Sequence, residues 1–504
     1  MLTGGSRAQP SLADEVRVSH DPTGRLVRDQ TFALYEAARR AHWDAVARKL
    51  DTWAGWGSAY QQRLTEIYRF LVPRGQRVLE LGSGLGDLLA ALGPGHGVGV
   101  DFSGEMIERA RRRHPELSFI QADVHALPAL DEPFDVIVLS DLVNDLWDLQ
   151  SVFEQIAGLC HPRTRVIVNT YSRLWEGPLA LAAWLDRAKS VLYQNWLTVD
   201  DVTSLMNLVD FEVIRMWPEI LWPLRTPLVG AFLNRFVVKL WPFKMFALTN
   251  FVVARPRPRP PAAEALPLVS VIVPARNEAG NISEIMERTP EMGRGTELVF
   301  VEGHSSDNTF AVIEREVASH PERRFQLHRQ SGVGKGDAVR LGFAQARGEI
   351  LMILDADLTV PPEDLPRFYD ALWGGKGDFI NGVRLVYPME DEAMGFFNLL
   401  GNKFFSMAFS WLLGQPVKDT LCGTKVLLKS EYEVIAANRE YFGDFDPFGD
   451  FDLLFGAAKL GLKIADLPVR YRARRYGATN IQRWKHGWIL LRMVAFAARR
   501  IKFV

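Results

Sequence analysis

A chain of 504 residues with 48% hydrophobic and 24% charged side chains has the profile of a globular protein of about two to four domains, which excludes a disordered or fibrous chain. Its formal net charge of −1 offers no field for a polyanion, so nucleic acid is excluded as a partner. Only two cysteines are present, Cys160 and Cys422; they fall in different halves of the pattern below and are read as free thiols in a reducing compartment.

In chain order, Met1 to Asp21 is polar and lacks the apolar centre of a signal peptide. Helical patterning before about residue 70, for example over Phe32 to Leu50, is read as a cap over the sheet that follows. Short β-branched runs then recur at Arg77 to Leu81, Gly97 to Val100, Asp135 to Leu139 and Arg165 to Val168. Helical periodicity between them predicts an α/β domain with a mainly parallel sheet. The first run leads into Gly82-Ser83-Gly84-Leu85-Gly86, where glycine lets the backbone turn tightly and approach a ligand at a helix N-terminus. Dinucleotides and S-adenosylmethionine both use such loops. Three acids accompany the loop. Glu80 lies just before it; Asp101 ends the next strand, where a carboxylate can accept ribose hydroxyls; Asp123 follows a third, where an acid can take an adenine amino group. After the fourth strand, Asp141 is read as a helix N-cap, with a general base as the alternative. The Trp-, Pro- and Leu-rich stretch Trp217 to Trp241 is assigned to core packing ahead of contact with an apolar acceptor or a membrane.

Taken in order, Val78-Leu79-Glu80-Leu81-Gly82-Ser83-Gly84, Val100-Asp101-Phe102-Ser103, Gln121-Ala122-Asp123 and Phe134-Asp135-Val136-Ile137 resemble the motifs of class I methyltransferases that use S-adenosylmethionine (SAM). The resemblance implies a Rossmann-like domain in which Gly82, Gly84 and Gly86 line the methionine end of SAM, Asp101 holds the ribose and Asp123 reads the adenine, with Glu80 in the same site. It does not name the methyl acceptor.

The run Arg255-Pro256-Arg257-Pro258-Arg259-Pro260-Pro261 lacks most backbone donors and has fixed φ, so an extended spacer is expected over residues 255–266. It separates a first domain, residues 1–254, from a second, residues 267–504. The second domain repeats the α/β alternation at Val269 to Val273, Leu298 to Val301 and Ile350 to Leu354. Its first strand leads into Pro274-Ala275-Arg276-Asn277-Glu278, and its second into Glu302 and Asp307, of which Ser306 or Asp307 is read as a cap and Glu302 or Asp307 as a nucleotide ligand. Gly332-Val333-Gly334-Lys335-Gly336 lacks the spacing of a phosphate loop, and Lys335 is read as a basic residue on a mobile loop near a diphosphate. The strand Ile350 to Leu354 ends in Asp355-Ala356-Asp357. Two carboxylates leaving a buried strand need compensation, and hard oxygen donors suit Mg²⁺ or Mn²⁺, which would also bind a diphosphate leaving group.

Pro274-Ala275-Arg276-Asn277-Glu278, Asp355-Ala356-Asp357, Asp419-Thr420-Leu421-Cys422-Gly423-Thr424-Lys425 and Gly449-Asp450-Phe451-Asp452-Leu453-Leu454 resemble family 2 glycosyltransferases of the GT-A fold, in particular the dolichol- and polyprenyl-phosphate sugar synthases. The resemblance implies a nucleotide-sugar pocket lined by Pro274, Arg276, Glu278 and Asp307, metal and nucleotide binding by Asp355 and Asp357, charge neutralisation by Arg474, and inversion at the anomeric carbon by single displacement. Asp450 stands where the family supplies a base to a hydroxyl acceptor; a polyprenyl phosphate is already anionic and needs none. Arg474 to Asn480 resembles the synthases' R-x-x-G-x-S-K tail with Asn480 in place of lysine, while Asn480 to Trp484 also resembles the Q-x-x-R-W element of other family 2 enzymes.

No apolar run reaches the roughly 20 residues that span a bilayer. Phe232 to Val253, Phe396 to Leu413 and Trp488 to Val504 are each broken by charge or amide side chains, and suit either buried helices or amphipathic interface helices. The basic C-terminal segment is expected to lie on a membrane, which makes the chain a cytoplasmic protein held peripherally at the inner face.

Overall fold

The computed structural model of the chain describes residues 30–49, 58–130, 132–184, 195–258, 266–384, 396–441, 450–472, 474, 476 and 483–504. Two seven-stranded mixed sheets account for the strands. The first holds β1 (Arg77–Leu81), β2 (His96–Asp101), β3 (Ser118–Gln121), β4 (Phe134–Leu139), β5 (Cys160–Tyr171), β6 (Phe211–Glu219) and β7 (Thr249–Pro256). The second holds β8 (Val269–Ala275), β9 (Thr296–Glu302), β10 (Arg324–Arg329), β11 (Ile350–Ile353), β12 (Phe379–Val383), β13 (Lys425–Leu428) and β14 (Ile464–Pro468).

The spatial orders are β3-β2-β1-β4-β5-β7-β6 and β10-β9-β8-β11-β13-β12-β14. The first sheet begins with five parallel strands and the second with four, and each reverses its winding once, between β1 and β4 and between β8 and β11. Crevices beyond the carboxyl ends of the strands at such reversals are where open α/β sheets bind ligands. The expected parallel majority holds, with antiparallel exceptions at β7 and β13.

Strand side chains alternate between faces, and both faces are covered. Leu79, Leu81, Ile137 and Leu139 pack with Val152, Phe153 and Ile156. Val78, Val136 and Val138 face Leu64, Ile67 and Tyr68 of the helix Ser58–Leu71. The expected cap takes the form of the helix Gln30–Lys49, tied down by Trp43, whose Nε1 donates to Asp145 Oδ2 at 2.7 Å, and by the Arg39–Asp145 ion pair.

The strand β7 runs through Arg255 and Pro256, so these two residues of the expected spacer belong to the first sheet. The physical reason is that Arg255 is fully buried between carboxylates: it pairs with Glu212 at 3.0 Å and with Asp378 of the second domain. Asp378 also accepts from Arg165 at 2.7 Å and from the Lys463 amide at 2.9 Å. Asp378 and Lys463 immediately precede β12 and β14, so the joint sits at the amino-terminal edge of the second sheet. Arg165 and Arg255 approach it from the same edge of the first sheet. The carboxyl-terminal rims, where ligands are expected, therefore point away from the joint. Both cysteines are free, Cys422 being buried.

Candidate functional sites

At the rim of the first sheet, Gly82, Gly84 and Gly86 take φ of 72°, 52° and 75°, which a side chain would strain. A Cβ on Gly82 would meet Leu142 at 2.9 Å, so the loop leaving β1 lies against the segment leaving β4. Asp101 fixes the loop from β2: its two carboxylate oxygens accept from the Gly84 and Ser103 amides, each at 2.9 Å. Burial pushes the Asp101 carboxyl up to about 6 and that of Glu80 up to about 8. Glu80 Oε2 and Ser83 Oγ are buried with no hydrogen-bond partner. Orphaned buried polar atoms beside a glycine loop fit a polar ligand lying over β1, such as the charged amino-acid end of SAM. Asp123 is brought to the same rim, and its Oδ1 accepts from the His125 amide at 2.9 Å.

Asp141 does not cap a helix. It sits in the left-handed region at φ 53°, and its carboxylate accepts from Tyr60 Oη at 2.7 Å and Asn169 Nδ2 at 2.6 Å. Tyr68 Oη completes the cluster on Asn169 Oδ1 at 2.7 Å. Sequence reasoning missed Tyr60, Tyr68 and Asn169, because they come from a helix and a strand far away along the chain.

At the rim of the second sheet, residues leaving three strands again adopt positive φ: Asn277 (57°) after β8, His304 (57°) after β9 and Leu358 (55°) after β11. Such conformations are costly for side-chain-bearing residues and collect at functional sites. The structure brings together five of the expected residues. Arg474 donates to Glu278 Oε1 at 2.7 Å and to Asp357 Oδ2 at 2.8 Å, while Lys335 Nζ lies 2.6 Å from Asp355 Oδ1. Burial raises the Glu278 pKa, with the Arg474 charge opposing it. Asp357 Oδ1 is held by Thr359, at 3.1 Å from the amide and 2.7 Å from the hydroxyl.

Lys335 is not on a loop; it is the first residue of the helix Lys335–Gln345, which a glycine N-cap begins. Asp307 accepts from the Thr309 amide at 3.0 Å, at the start of the helix Thr309–Ser319, and Thr309 Oγ1 in turn accepts from the Glu278 amide at 3.0 Å. The N-cap position of that helix is Asn308, without a side-chain cap bond, so neither Ser306 nor Asp307 is the cap; Asp307 bonds Thr309 from one residue earlier, and Thr309 is its unforeseen link to Glu278. Glu302 is engaged locally, by the Ser305 amide at 2.5 Å. Pro274 lies within β8 at its carboxyl end, and Arg276 is exposed just beyond it. Asp419 is buried in a two-point ion pair with Arg384, at 2.7 and 2.9 Å, so it shapes the wall. A Cβ on Gly423 would overlap both Asp355 and Lys335, which explains a glycine in that motif. Asp450 begins the helix Asp450–Lys459. Its side chain, and residues Gly449 and Asn480, lie outside the described residues.

Asp355 and Asp357 offer hard oxygen donors on one turn, which suits Mg²⁺ or Mn²⁺ completed by ligand oxygens. Among the described residues no group of three metal-ligating side chains occurs, and the two carboxylates are engaged by Lys335 and Arg474.

Residues 270–422 match the family described as Glycosyl transferase family 2, and residues 73–210 match the one described as Methyltransferase domain. The chain is 30% identical over 222 residues to an undecaprenyl-phosphate 4-deoxy-4-formamido-L-arabinose transferase of Edwardsiella ictaluri, a match covering 43% of this chain and 64% of that protein. It is 28% identical over 220 residues to a dolichol-phosphate mannosyltransferase of Pyrococcus furiosus, covering 42% and 59%. The chain thus spans less than two thirds of either relative. A solved SAM-dependent methyltransferase of Mesorhizobium loti superimposes with a TM-score of 0.31 at 19% identity, covering 40% of this chain and 98% of that one, too low a score to carry weight. The first rim and, apart from Arg474, the second fall within the two matched stretches: this chain carries a stretch similar to methyltransferase domains followed by one similar to family 2 glycosyltransferases.

Proposed function

We propose that the second domain transfers a sugar from a nucleotide-sugar donor to a polyprenyl phosphate, with inversion, and that the first transfers a methyl group from SAM to an acceptor of its own. The observation that carries the reading is the Glu278–Arg474–Asp357 bridge beside the Lys335–Asp355 pair. Two cations are held by carboxylates at the strand-order reversal, where a donor diphosphate can compete for them. Asp355 and Asp357 are the residues that would hold Mg²⁺ or Mn²⁺, which would supply charge neutralisation to the leaving diphosphate. In the transfer, a phosphate oxygen of the acceptor forms the bond to the anomeric carbon from the face opposite the nucleoside diphosphate, which leaves. The names of the relatives support a lipid-phosphate acceptor, and that acceptor would place the work at a membrane surface. In the first domain, Asp101 and Glu80 would hold SAM, Asp123 would read its adenine, and Asp141 would take a proton from the methyl acceptor.

A donor-hydrolysis screen over several nucleotide sugars with Mg²⁺ or Mn²⁺, followed by addition of undecaprenyl phosphate, tests the reading. Turnover stimulated by the lipid phosphate is expected, and Asp450→Asn should reduce it less than tenfold. A loss of orders of magnitude in Asp450→Asn would indicate a hydroxyl acceptor and overturn the lipid-phosphate assignment. Titration calorimetry with SAM tests the first domain; an absence of heat would leave it a docking module.

A further inference from the structure

The core-packing assignment of the Trp-rich stretch fails from Trp222 onward, and the failure is informative. Leu228 is 86% exposed and Trp241 76%, and Phe232, Met245 and Phe246 are also exposed. The short helix Val229–Arg235 and the turns after it present this apolar surface instead of burying it. The surface continues across the domain joint. Ring centroids follow one another from Phe232 to Phe236 at 5.7 Å, Phe236 to Phe503 at 5.2 Å and Phe503 to Trp411 at 5.8 Å, and Arg235 Nε donates to the Phe503 carbonyl at 2.6 Å. Trp411 lies on the helix Phe396–Leu413, which also exposes Phe404 and Met407. Contiguous exposed apolar patches of this kind mark interaction sites.

The charge around the patch has one sign. Residues 220–263, 396–418 and 467–504 contain no Asp or Glu, although the whole chain has a net charge of only −1. Beside the patch a cleft of about 1350 Å³ opens between the domains, lined by residues of the helix Ser58–Leu71, the segment 224–235 and the C-terminal segment. Arg69, Arg225, Arg235, Lys459, Arg499 and Arg500 line it, and none of the six has a carboxylate within ion-pair distance among the described residues. Among the described residues Glu66 is the one acidic side chain in the lining; Arg63 takes it at 3.2 Å and also donates to the Val504 main-chain oxygen at 2.5 Å. An apolar face rimmed by bases that no carboxylate neutralises complements an anionic bilayer: aromatic and aliphatic groups enter the interface while the bases meet lipid phosphates.

We propose that the methyltransferase domain carries the main membrane-inserting element, residues 228–246, and that the interdomain cleft holds the phosphate of an anionic lipid. The proposal deepens the membrane-surface part of the reading above and rests on it. It also changes the expected anchor. The C-terminal helix Arg483–Ala497 buries Leu490, Met493 and Ala497 in the second domain's core, leaving Trp488 and Leu491 as a secondary contact.

The test is co-sedimentation of the full chain with vesicles of phosphatidylcholine alone or with one part phosphatidylglycerol in three. Binding to the anionic vesicles and its weakening by salt are expected. Trp241→Glu with Phe246→Glu should lower vesicle affinity at least tenfold, and Arg499→Gln with Arg500→Gln should remove the preference for anionic vesicles. Equal melting temperatures for variants and parent exclude misfolding, and the milder Trp241→Ser serves if the acidic pair unfolds. Unchanged binding in the Trp241/Phe246 variant overturns the proposal. So does thermal stabilisation by inorganic diphosphate without vesicle binding, which would make the cleft a soluble-phosphate site. A dimer in sedimentation velocity that Trp241→Glu dissolves would assign the face to a second copy and overturn it too. Donor hydrolysis and lipid-phosphate transfer are scored separately, so loss of the acceptor assignment is distinguishable from loss of this surface.

Discussion

Glu80 combines full burial with an oxygen that no protein group satisfies, and burial raises its carboxyl to about 8. A carboxyl whose folded pKa exceeds its unfolded value holds its proton longer in the native state. Its contribution to stability is therefore complete below the unfolded pKa, about 4.3, and is lost as pH rises through about 8. The chain without ligand should melt at progressively lower temperature across that window. Glu80→Gln, which cannot ionise, should flatten this dependence and melt a few degrees above the parent at pH 8, as scanning calorimetry over a pH series would register. An identical slope in the variant would mean that another group sets it. At the second rim, Arg474 is the one side chain described as bonding both Glu278 and Asp357. If it turns to a developing diphosphate charge during transfer, Arg474→Ala should lower kcat about a hundredfold, with partial recovery in Arg474→Lys. A variant that raises only KM would confine the arginine to ground-state binding.

Elements carry these residues through their ends. Most of the chemistry-bearing side chains lie at or just beyond the carboxyl end of a strand, and the strands could be read from β-branched runs because burial on both faces requires nearly continuous apolar sequence. Lys335 was harder to place: Gly332 to Gly336 reads as a loop, yet a glycine N-cap at φ 95° starts a helix at Lys335 and aims it at Asp355. The 20-residue helix Gln30–Lys49 depends on Asp145, which receives Arg39, Trp43 and, through its carbonyl, Tyr35. Asp145→Ala removes a carboxylate from a largely buried pair, a change that costs about 3 kcal/mol. The expected result is faster tryptic cleavage at Arg39, Arg40 and Arg48 while the rest of the domain resists; cleavage at the parent rate would show that the cap is held by its apolar side alone.

For the whole molecule, the joint at Asp378 decides how the two sites relate. Arg165 and Arg255 are 7% and 1% exposed and both donate to it. Asp378→Ala should destabilise the chain by about 3 kcal/mol and split one calorimetric transition into two, since the domains would no longer unfold as one unit. A single transition displaced by less than a degree would assign cohesion to the apolar contacts around Phe503 and Phe70. The ion pairs on Asp378 lie at the amino-terminal edges of both sheets, opposite the rims at β1 and β8, while Phe236 and Arg235 meet Phe503 beyond the carboxyl end of β6.

The sequence by itself determined the two α/β domains, the glycine loop with Glu80, Asp101 and Asp123, and the Asp355–Asp357 pair. These are local: a strand, its turn and the first residues beyond are contiguous, and their chemistry is written in spacing. Tertiary structure alone decided that Arg474 closes on Glu278 and Asp357, that Asp141 meets Tyr60 and Asn169 instead of capping a helix, and that Arg255 leaves the spacer to pair with Asp378. It also decided that an apolar stretch reads as surface. Hydrophobicity states what a segment would gain by leaving water, and only the packed neighbours determine whether protein is there to receive it.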